Sequence, residues 1–161
     1  MGVLRKSVLA QALLLAAVSA QAVDHLPLTS FIADLDHASK NSMRAMLGLE
    51  QTGLAFSAML HTALDGDVKL TRQAAKPAGY RVREISQAGQ DYLVLFDLLQ
   101  SVGPTIVLAR TPQRELIIEA PHGIADRATD IQSAIALTRL GARALILAGA
   151  HRYASRSESS C

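Results

Sequence analysis

With 161 residues, 16 Lys+Arg against 14 Asp+Glu and only 4% aromatic side chains, the chain lacks the basic surface and stacking residues that nucleic-acid binding requires. Half of its residues are hydrophobic, enough for one domain with a real core. A single cysteine, Cys161, excludes an internal disulfide and leaves a free thiol or half of a bridge to something else.

The first 22 residues read as a secretory signal peptide. "MGVLRK" is a short basic start, "SVLAQALLLAAVSA" an apolar stretch, and "AQA" a small-residue cleavage pattern ending at Ala22. The apolar stretch falls short of the roughly 20 residues that span a bilayer. The expectation is an exported chain, periplasmic or secreted, with no stable membrane span after cleavage; the alternative is an uncleaved anchor. Without Arg5 and Lys6 the mature chain from Val23 carries 14 basic and 14 acidic residues and is electrically neutral.

Residues 24–64 have helical spacing. Phe31, Ile32 and Leu35 recur on one side, as do Met43, Met46 and Leu47, and then Leu54, Met59 and Leu60. Gly48 and Gly53 are placed to split this stretch into two helices. Residues 65–79, "DGDVKLTRQAAKPAG", are polar, contain Gly and Pro, and read as a loop.

At Tyr80 the period changes. "YRVREI" and "DYLVLFDLL" are strand-like and joined by "SQAGQ", a plausible hairpin. "TIVLAR" is a further strand, and "TPQR" turns the chain into "ELIIEAPH", whose continuous apolar run predicts a strand covered on both faces. A helix follows, with Thr129 and Gln132 at capping-box spacing. Ile131, Ala134, Ile135 and Thr138 are its expected inward face, and Gly141 its left-handed terminator. "RALILAGA" then reads as a second buried strand. The whole predicts an α/β domain over 23–161 with a mixed sheet, a parallel βαβ unit at the C-terminal end and a helical N-terminal region.

Two histidines follow the two strands of that unit: His122 the first, His151 the second. Open α/β sheets bind ligands outside the carboxyl ends of their parallel strands. If the two strands are neighbours, or one strand apart, the imidazoles can approach each other there. Asp126 lies four residues after His122, and two imidazoles with a carboxylate form a ligand set suited to zinc, with a fourth position open to water. Water acidified there can attack an amide or ester carbonyl. Arg152, directly after His151, can bind a substrate carboxylate in bidentate fashion. Glu119 is either a partner that orients a ligand histidine or a charge at a solvated strand edge. Asp126 has a competing role as helix N-cap. His25, His37 and His61 are expected to be exposed.

"IIEAPHGIADRATD" followed by "LGARALILAGAHR" resembles exported bacterial hydrolases with a zinc-carboxypeptidase-like, or phosphorylase/hydrolase-like, fold, among them poly-γ-glutamate hydrolases and N-formylglutamate amidohydrolases. The resemblance covers roughly residues 105–155. It implies that His122, Asp126 and His151 hold zinc and that the substrate is a peptide or acyl-amino acid bearing a carboxylate. The separation between the two histidines is short beside that of the classical carboxypeptidases, and no residue matches their late catalytic glutamate, so no general base is assigned. Metal-dependent amide hydrolysis is therefore one expectation. The alternatives are an exported, non-catalytic module that binds an anion at the 122–129 turn with help from His122 and Arg152, and an inactive fragment of a longer hydrolase. In the fragment reading "RALILAGA" is left at a sheet edge.

Overall fold

The computed structural model describes residues 27–39, 49–97, 103–121 and 128–149. In chain order the described elements are α1 (Leu28–Ser39), α2 (Leu49–Leu64), α3 (Val68–Ala75), β1 (Tyr80–Gln87), β2 (Gln90–Asp97), β3 (Thr105–Ala109), β4 (Arg114–Ala120), α4 (Thr129–Leu140) and β5 (Ala142–Leu147). The strands form one sheet in the order β1-β2-β3-β5-β4. Its pairings are antiparallel except for β4 with β5, which run parallel on either side of α4. The fold is thus α/β with a mixed sheet, as the change of hydrophobic period at Tyr80 predicts. No described helix is long and apolar enough to cross a membrane. Residues 1–22, the expected leader, and Cys161 lie outside the described residues.

The continuous apolar run Tyr92-Leu93-Val94-Leu95 follows from burial on both faces of the sheet. Tyr92 and Val94 join a cluster with Leu28, Phe31 and Ile32 of α1 and with Ala134 and Leu137 of α4. Leu93 and Leu95 join Met59 and Ala63 of α2 and Ala75 of α3 on the opposite side. The three layers are therefore α1 and α4, the sheet, and α2 with α3. Phe31 meets Phe96 edge-on with ring centroids 5.3 Å apart, the arrangement that aromatic quadrupoles favour. The first turn of α1 is closed by the hairpin: the Leu28 N–H donates to Gln87 Oε1 at 2.6 Å.

Three sequence expectations change. Gly53 does not divide the helical stretch but lies within α2, where a glycine costs only about 1 kcal/mol relative to alanine. The polar stretch 65–79 is not all loop, because Asp67 caps α3 by accepting from the Leu70 N–H at 2.9 Å. That cap lets Thr71 and Ala75 bury one face of an otherwise polar helix, and Arg72 pairs with Glu84 of β1 at 2.9 Å. The hairpin is tighter than "SQAGQ" suggests, since β1 and β2 pair up to Gln87↔Gln90. Ala88 and Gly89 both have positive φ, 52° and 77°, as a two-residue turn matching the twist of the strands requires.

The expectation for "ELIIEAPH" is also corrected. This strand, β4, is an edge strand rather than one covered on both faces, with Ile117 55% and Leu116 39% exposed. The α2/α3 layer reaches Ala144 of β5 and no residue of β4, so only the α4 side of β4 is packed, through Ile118 and Ala120. The strand that sits inside is β5, between β3 and β4, not at an edge as the fragment reading has it.

Candidate functional site at the carboxyl ends of β4 and β5

The two parallel strands finish level with each other. Ala120 is in register with Leu147, and the Ala148 N–H donates to the Ala120 carbonyl at 3.1 Å. At the opposite edge, the N–H groups of Gln113 and Arg114 both donate to the Gly141 carbonyl, at 2.9 and 3.0 Å. Gly141 ends α4 in the left-handed conformation, φ 57°, as expected. A Cβ there would lie 2.8 Å from Gln113 Cβ, so both conformation and space call for glycine. With its C-terminus held at the amino ends of the strands, α4 extends about 18 Å back across them. Its first turn therefore lies at the edge where β4 and β5 end.

The condition set by the sequence, that the two strands be neighbours, is met. His122 and Asp126 belong to the connection that leaves β4, and His151 and Arg152 to the segment that leaves β5. All four lie outside the described residues. Glu119 is exposed on the edge strand, in register with Ile146, the solvated-edge alternative. His61 is exposed on α2, as expected, while His25 and the His37 side chain lie outside the described residues. Among the described residues no group of three or more His, Cys, Asp and Glu could hold a metal ion.

The start of α4 differs from its sequence reading. The N-cap position belongs to Ala128, with φ 62° and ψ 12° and no side-chain cap. Thr129 is instead the first helical residue, so the Thr129–Gln132 capping box is not formed; the Gln132 N–H donates to the Ala128 carbonyl at 2.9 Å. The N-cap position is thus not that of Asp126, which lies outside the described residues. Alanine in the left-handed region costs roughly 1–2 kcal/mol.

The inward face of α4 is turned by one residue, about 100°, from the expected Ile131, Ala134, Ile135 and Thr138. Its buried residues are Asp130, Ser133, Ala134 and Leu137, and Ile135 is exposed. The Ser133 hydroxyl satisfies itself by donating to the Thr129 carbonyl at 2.7 Å. Asp130 is different. Only 6% of its surface is accessible, and among the described residues it has no hydrogen bond or ion pair. A buried polar group left unpaired costs about 1–3 kcal/mol, and a charged one more. Sequence reasoning missed Asp130 because an acid in the first turn of a helix is an ordinary complement to the helix dipole. The available signal was its spacing from Ala134 and Leu137, which places it on one stripe with them.

The same sheet edge is tied down at β1–β3. Tyr80 donates its hydroxyl to the Pro104 carbonyl at 3.0 Å, and the Gly103 N–H donates to Asp97 Oδ2 at 3.2 Å. Burial, and then the charge of Asp97, raise the Tyr80 phenol well above its usual range. Tyr80 stands four strands away from β4, roughly 19 Å, so this cluster supports the edge rather than joining the site.

Compared with protein-family models, curated proteins and solved structures, the chain matches none.

Proposed function

We propose that this chain is an exported metal-dependent hydrolase acting on an amide bond in a peptide or acyl-amino acid that carries a carboxylate. The observation that carries the reading is the level ending of two neighbouring parallel strands, Ala120 beside Leu147 and Ala148. The segments bearing His122 and His151 start from adjacent points, and the connection bearing Asp126 starts from one of them. This supports His122, Asp126 and His151 as zinc ligands, and Asp130, buried in the first turn of α4 and without a hydrogen bond or ion pair among the described residues, fits a cation at this sheet edge rather than an anion. Zinc held there supplies Lewis acidity, the means by which an amide carbonyl is activated near neutral pH. Arg152 binds and orients the substrate carboxylate through its paired N–H donors. The resemblance of "IIEAPHGIADRATD" and "LGARALILAGAHR" to exported amidohydrolases of the zinc-carboxypeptidase-like group supports the same substrate class.

Metal content tests this directly, by mass spectrometry of the purified chain beside the His122→Ala/His151→Ala variant. Near-stoichiometric zinc that disappears in the variant is the expected result, followed by zinc-dependent cleavage of acyl-amino acids that Arg152→Ala weakens. A folded preparation that takes up no zinc ends the reading.

A non-catalytic anion-binding module is the second reading, favoured by one observation. The N-cap residue of α4, Ala128, supplies no side-chain cap, so among the described residues no side chain competes with an anion for the backbone N–H groups of the first turn. The Asp130 carboxylate in that same turn opposes it by like-charge repulsion. Phosphate binding that survives a chelator and weakens in Arg152→Ala would select this reading over the first.

A further inference from the structure

We draw no further inference here: the strongest candidate, the exposed apolar patch of Leu116 and Ile117 on the edge strand β4, carries nothing, because nothing among the described residues shows what covers it.

Discussion

The Tyr80 hydroxyl donates to the carbonyl of Pro104 at 3.0 Å and so joins the first residue of β1 to the residue that leads into β3. The phenol is raised above its ordinary value of 10.0 by burial and by the nearby charge of Asp97. The folded chain therefore holds this proton more tightly than the unfolded chain. The stabilisation is complete below about pH 10, the unfolded value, and is lost as pH rises from there towards the higher folded value. Tyr80→Phe is expected to cost about 1 kcal/mol at pH 7 through the lost hydrogen bond and to flatten the fall in stability above pH 10. Urea unfolding across pH 7–11 measures both. The same alkaline slope in parent and variant would exclude Tyr80 as its source, leaving Tyr92, which burial also raises.

Gly103 lies against this pair. A Cβ on it would clash with the Tyr80 hydroxyl oxygen and stand 3.1 Å from Asp97 Cβ. Gly103→Ala is expected to destabilise the chain by about 1–3 kcal/mol, the usual cost of overpacking. Part of that loss should return in Gly103→Ala/Tyr80→Phe, where the obstructing oxygen is gone. A double-mutant cycle reads the coupling, and additive costs would contradict the contact.

The orientation of α4 is open to a paired test. Leu137 is fully buried and Ile135 is 36% exposed. Leu137→Ala is expected to cost about 2–5 kcal/mol, and Ile135→Ala much less. Equal losses in chemical denaturation would restore the face read from the sequence.

The uncovered side of β4 makes a prediction about association. Ile117, 55% exposed on an edge strand, offers an apolar side chain beside unpaired backbone groups, a combination that favours strand-to-strand aggregation. Ile117→Lys is expected to lower light scattering on concentration while changing stability by no more than about 0.5 kcal/mol.

What the sequence discloses and what it hides divide along physical lines. "YLVL" and "ALIL" are legible as interior strands because burial on both faces removes charged residues from every position. The edge position of β4 is not legible, since "ELIIEA" has nearly the same apolar run and its exposure depends on where α2 and α3 stop. Gly141 is readable because one backbone conformation favours glycine strongly. The helix α3 is missed because it is held by one Asp67 cap and two small buried residues, Thr71 and Ala75, too few to outweigh its polar composition. The face of α4 is missed because both its isoleucines, Ile131 and Ile135, lie off the buried stripe while that stripe carries the polar Asp130 and Ser133, so periodicity alone points to the neighbouring face. For the candidate site, the sequence supplies the pattern of residues, whereas the adjacency of the two strand ends emerges only from the pairing of β4 with β5.

That pairing also has a place in time. The β1–β2 ladder closes over the two-residue turn at Ala88 and Gly89, so it can form early and locally. Thr105 must find Leu147, and Ala120 must find Leu147 and Ala148 across the whole of α4, closures that cost chain entropy before any contact rewards them. The carboxyl edge is thus expected to be the last part of the sheet to assemble and among the first to open. In native-state hydrogen exchange the Ala148 amide should lose its protection before those of Leu93 and Val94. A binding site at that edge would then be held together partly by what it binds.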